Sequence, residues 1–79
     1  MHLINNFREY MENNKFVINI YEDNINIINY TSIGIIEDTK VSVLGHDKNI
    51  TISGEKLVLK KLLKDEILIS GIIKKIELR

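Results

Sequence analysis

Apolar side chains fall at every second position over most of this chain, and the phase of the alternation shifts at a few marked points. The first dozen residues follow a different period. In "LINNFREYME", residues 3–12, Leu3, Phe7 and Tyr10 with Ile4 and Met11 share one face at helical spacing, which predicts a short helix over the core. From Phe16 the period becomes two. "KFVINIY" turns Phe16, Ile18 and Ile20 to one side, and "EDN" then supplies turn chemistry, since Asp and Asn hydrogen-bond their own backbone. "INIINY" follows, with Ile25 and Ile27 on one face and a change of parity at Ile28 and Tyr30. "TS" interrupts, "IGII" reads as another short strand, and "EDT" turns again before "KVSVL" directs Val41 and Val43 one way. "GHDK" at 45–48 has hairpin length, and Gly45 could supply a positive φ there.

The last third, "NITISGEKLVLKKLLKDEILISGIIKKIELR", says nearly the same thing twice. Ile50, Ile52 and Gly54 correspond to Ile67, Ile69 and Gly71, and each half resumes alternation on the opposite parity after Ser-Gly. Ile50 and Ile52 give way to Leu57 and Leu59; Ile67 and Ile69 give way to Ile76 and Leu78. A glycine within a strand marks a bulge, a bend or the close approach of another backbone. Parity inversion is what a strand needs if it turns a corner while keeping its apolar side chains inside. Gly54 and Gly71 are therefore read as matched corner points, with Ser53 and Ser70 facing outward and the two halves paired antiparallel.

These elements predict a single all-β domain over residues 1–79: the helix at 3–12, then an antiparallel meander over 16–79. Seven or eight short strands are expected. The turns are too short for parallel crossovers. A flat sheet of that many strands would leave one face bare, so a small sandwich or roll is expected.

Composition adds constraints. The chain has 79 residues and no cysteine, so neither disulfides nor thiolate chemistry contribute. Eleven basic residues balance eleven acidic ones. A neutral balance with few aromatics argues against a nucleic-acid binder, which needs clustered Lys and Arg with stacking platforms. The opening residues lack the basic start and apolar run of a signal peptide, and no run approaches a membrane span, so a soluble cytoplasmic chain is expected.

Candidate chemistry is sparse. His46 falls in a turn, and His2 lies at the start. Glu37, Asp38, Asp47, Asp65 and Glu66 fall in turns, where carboxylates serve to punctuate and solvate. The four glycines are dispersed rather than gathered into a phosphate loop, and Ser53 and Ser70 have no activating neighbour. No enzyme, cofactor or metal is expected. Lys56, Lys60, Lys61, Lys64, Lys74 and Lys75 make the last third basic. As a solvated face they would protect sheet edges. Alternatively, Lys60, Lys61, Lys74 and Lys75 would form a contact surface for an acidic partner or, peripherally, an anionic membrane. "VINIY" and "INIINY" contain no charge, so those strands are either buried or available for pairing, and a homo-oligomer is expected.

The stretch from about Ile25 to Leu78 resembles the YabP/YqfC family of sporulation proteins. That family runs a strand, a turn region and a short hairpin, then "I-x-I-x-G-x-x-L-x-I-x-x-L", an acidic spacer and "I-x-I-x-G-x-I-x-x-I". Here the two elements are "ITISGEKLVLKKL" and "ILISGIIKKIEL", with Gly54 and Gly71 at the two glycine positions. The resemblance implies a non-enzymatic protein of endospore formation, made in the mother cell and associated with the forespore surface or spore coat. It further implies a protein partner, a membrane-anchored protein of the YqfD type, against which the lysines would dock. The alternative, of a different class, is a small ligand- or nucleic-acid-binding β-barrel.

Overall fold

A computed structural model describes residues 15–79; the helix expected over 3–12 lies outside them. The described chain is all β. Six strands form one antiparallel sheet: β1 (Val17–Ile20), β2 (Asn24–Ile28), β3 (Ser32–Ile36), β4 (Lys40–Leu44), β5 (Asn49–Leu62) and β6 (Glu66–Leu78). Their order across the sheet is β1-β2-β6-β5-β4-β3.

The expected count of seven or eight short strands is corrected to six, because each Ile-Ser-Gly half is one continuous strand. β5 and β6 hold 14 and 13 residues and pair with each other on both sides of their glycines, from Ile50 opposite Leu78 to Leu62 opposite Ile67. The neighbouring strands do not run that far. β4 pairs with residues 49–53 of β5, and β2 pairs with residues 66–70 of β6. One layer therefore contains β3, β4, the start of β5 and the end of β6. The other contains β1, β2, the start of β6 and the end of β5.

Both layers bury the same face of the sheet. Ile25, Ile27, Ile67 and Ile69 from one layer, with Ile50, Ile52 and Val43 from the other, are 0% exposed. They belong to one buried cluster with Val41 and Leu57, so the buried faces of the two halves of the sheet pack together. Each such side chain contributes roughly 1.5–3 kcal/mol on burial. Leu57, the first apolar residue beyond Gly54, returns to this core, while Leu59, Ile73 and Ile76 pack at its margin. The parity inversion expected at each glycine falls instead at a neighbouring bulge: Ile73, beyond Gly71, still packs inward on the parity of Ile69, and the change comes at Lys74 on β6 and between Glu55 and Val58 on β5.

The two corners are built differently. At Gly54 the β5 and β6 backbones touch: an added Cβ would overlap the Ile72 carbonyl oxygen. At Gly71 the backbone has φ +139°, a region open to glycine, and an added Cβ would lie 2.6 Å from the Lys56 carbonyl oxygen. The hairpins on either side dock on these corners in the same manner. The Gly54 amide donates to the Thr39 carbonyl at 3.0 Å, and the Gly71 amide donates to the Asp23 carbonyl at 3.2 Å. Thr39 and Asp23 lie in corresponding turns, closed by Glu37 N–H to Lys40 C=O and Tyr21 N–H to Asn24 C=O. Register agrees as well: Val41 opposes Ile52 as Ile25 opposes Ile69, and Val43 opposes Ile50 as Ile27 opposes Ile67. The fold is a pair of matched units, each a two-stranded hairpin laid beside an Ile-Ser-Gly arm.

The link between the units is short. Asn29 adopts the left-handed conformation (φ 64°), which asparagine tolerates, and its amide donates to the Asp65 carbonyl. Tyr30 then reaches the Leu63 carbonyl with its hydroxyl at 2.6 Å. Gly45 has no positive φ; its lack of a side chain instead makes room for the Phe16 ring.

Candidate interaction surface

The four lysines singled out from sequence are not gathered into one patch. Lys60 and Lys61 lie near the end of β5, and Lys74 and Lys75 lie on β6 just past its corner, in the opposite layer. Two of them, Lys60 and Lys74, share a structural position that sequence reasoning missed. The β5–β6 register passes from Leu59–Ile69 to Lys61–Leu68, leaving Lys60 as an extra residue, and from Gly54–Ile73 to Ser53–Lys75, leaving Lys74 extra. A third irregularity, between Glu55 and Val58, contains Lys56 at φ 54°. Lysine therefore occupies the β-bulges. A bulge bends its strand and breaks the edge, and a charged side chain there discourages another chain from adding on. The only sequence signal for this was a pair of adjacent lysines interrupting alternation.

Lys74 donates a hydrogen bond to Glu55 and pairs with it electrostatically, which holds the Glu55 carboxyl below its usual range. Both side chains are more than half exposed, so solvent screens the pair and it adds little stability. Lys75 and Arg79 approach Glu77 at 4.0 and 3.8 Å, again at the surface.

Apolar groups are exposed in matched places. Ile20 and Ile36, which oppose Ile25 and Val41 across the two hairpins, are 58% and 55% exposed. Leu62 and Leu78, which oppose Ile67 and Ile50, are both 56% exposed. Each lies on the inward face of an outer strand, beyond the reach of the facing layer. Tyr21, Ile35, Val58, Leu63 and Ile72 are also exposed. On the outward face of the β1–β2 layer a polar chain runs among Val17, Ile28 and Leu68: the Asn19 amide donates to Asn26 at 3.3 Å, and Asn26 donates to Glu66 at 2.7 Å.

His46 sits exposed in the β4–β5 turn, where Lys15, Phe16, Asp47 and Lys48 join it around a small recess. Among the described residues no three His, Cys, Asp or Glu side chains gather where a metal ion could be held. No described helix is long and apolar enough to cross a membrane. Compared with protein-family models, curated proteins and solved structures, the chain gives no significant match.

Proposed function

We propose that this chain is a non-enzymatic interaction protein of endospore formation, made in the mother cell and working at the forespore surface or spore coat. It docks a membrane-anchored partner of the YqfD type, a second copy of itself, or both. The observation that carries the reading is the alignment of the two Ile-Ser-Gly elements on adjacent strands, with Gly54 and Gly71 at the corners. This is the pair of motifs on which the resemblance to YabP/YqfC proteins rests. The outward groups support a docking role: free strand edges, apolar side chains at the layer margins, and lysines raised on bulges.

The test is a fluorescent fusion followed through sporulation in the source organism. A ring around the forespore is expected. A uniform signal in vegetative cells, or an organism that forms no spores, would overturn the assignment. Salt-sensitive retention of the purified chain by oligonucleotides would instead favour a nucleic-acid-binding module.

A further inference from the structure

Among the described residues, four strand stretches have no neighbour on their outer side: β1, β3, the end of β5 and the end of β6. Three of these carry a device against further pairing. The β5 stretch has the Lys60 bulge beside Lys61, the β6 stretch has the Lys74 bulge beside Lys75, and β3 loses register with β4 between Ile33 and Ile36. β1 has none. Its four residues, Val-Ile-Asn-Ile, bear no charge and keep unbroken register with β2. An uncharged, regular edge is a template for another strand.

We infer that β1 pairs antiparallel with β1 of a second copy, about a two-fold axis through Asn19, and so joins two six-stranded sheets. The inference deepens the self-association part of the function proposed above and rests on it. The phase of the ladder comes from the β1–β2 turn. Tyr21 N–H donates to Asn24 C=O at 2.9 Å, so 21–24 is a hydrogen-bonded pair. Alternation makes Asn19–Asn26 a hydrogen-bonded pair too, and it turns the backbone groups of Ile18 and Ile20 away from β2. A two-fold through Asn19 sets Ile18 opposite the second copy's Ile20. Those outward N–H and C=O groups then exchange four hydrogen bonds.

The side chains match the same axis. Ile18 and Ile20 lie on the inward face, so apolar meets apolar, and the 58% exposed Ile20 gains cover. Asn19 meets itself in a non-hydrogen-bonded pair, where side chains approach most closely. An amide both donates and accepts, so it is its own complement. The Asn19–Asn26–Glu66 chain would continue across the axis into its mirror sequence. That self-complementarity is what selects a second copy as the occupant. A four-residue edge falls well short of the roughly 1,200 Å² of a standard interface, so the dimer is reversible and concentration-dependent.

Because the chain has no cysteine, a single introduced thiol reports the contact without ambiguity. The full-length Asn19→Cys variant should form a disulfide-linked dimer under mild oxidation, since facing residues in such a pair lie within disulfide reach. Ile35→Cys, which precedes Ile36 on β3 as Asn19 precedes Ile20 on β1, should not. Ile20→Lys leaves the Asn19–Asn26–Glu66 chain intact and sets the charge against the interface. It should weaken association, read by light scattering across a dilution series, by about tenfold. A dimer that persists in Ile20→Lys and is not linked through Asn19→Cys would overturn the β1 interface while leaving self-association standing. A chain that stays monomeric and unlinked at every concentration would overturn both.

Discussion

Replacing Gly71 by alanine asks the β6 corner to accept one methyl group. Two costs arise. The backbone at φ +139° is a conformation that a side chain rarely adopts, which costs roughly 1–3 kcal/mol. The new Cβ would also lie 2.6 Å from the Lys56 carbonyl oxygen and 3.0 Å from the Leu57 Cα. Both are backbone atoms, so relief requires β5 and β6 to part by several tenths of an ångström. Overpacking of this kind costs about 1–3 kcal/mol. The shift would also strain the Gly71 amide's bond to Asp23, itself worth about 1 kcal/mol. The sum is about 2–6 kcal/mol, against a total stability of roughly 5–15 kcal/mol for a domain of ordinary size. Urea unfolding followed by circular dichroism measures it, with Gly34→Ala as the comparison. At Gly34 the nearest atoms to an added Cβ are the ends of the Ser42 and Leu44 side chains, at 3.0 and 3.2 Å. These can move, so Gly34→Ala should stay within about 1 kcal/mol of the parent. If Gly71→Ala unfolds within about 1 kcal/mol of the parent as well, the corner reasoning is refuted.

Ile69→Ala, at the centre of the core, should cost about 2–5 kcal/mol, while Ile36→Ala on the exposed margin should cost far less; urea midpoints decide. Glu55→Gln should lower stability slightly near neutral pH. Its folded pKa lies below the usual 4.5, so the ion pair's contribution is present above that value and disappears as pH falls through the folded pKa. Parent and variant should therefore converge in acid, and a difference that persists at low pH would assign the effect to something other than the charge. Charge reversal at Lys60, Lys61, Lys74 and Lys75 should weaken capture of an acidic partner without unfolding the domain, because all four are exposed. Unchanged retention in a pull-down would remove these lysines from the docking surface.

The alternating pattern made the core legible. Ile25, Ile27, Val41, Val43, Ile50, Ile52, Ile67 and Ile69 were each placed by period two, and each is buried. The close backbone approach at Gly54 and Gly71 was legible too, because a glycine inside an apolar strand has few other causes, but the parity inversions lie at the neighbouring bulges and not at the glycines. Strand number was not. Ser-Gly looks like a break in a one-dimensional reading, yet β5 and β6 pair through it because bulges on both strands absorb the change of register. Nothing local distinguishes a lysine at a bulge from one on a regular strand, so Lys60 and Lys74 read only as charge. The parity change after Ile27 had a different origin: it ends β2 at Ile28 and passes into the left-handed Asn29. The matching of the β1–β2 and β3–β4 hairpins was hidden for a topological reason. They follow one another in sequence but attach to β6 and β5, in reverse order.

The central claim is that β5 and β6 remain one paired ribbon through both glycine corners. Cross-strand proton contacts measured by NMR on the labelled chain test it directly. Contacts should join Ile52 to Ile76 on one side of the corners and Leu59 to Ile69 on the other, with register slips confined to Lys56–Leu57, Lys60 and Lys74. A ladder that stops at Ser53–Lys75, with Val58–Leu62 lying apart from Ile67–Ser70, would contradict it.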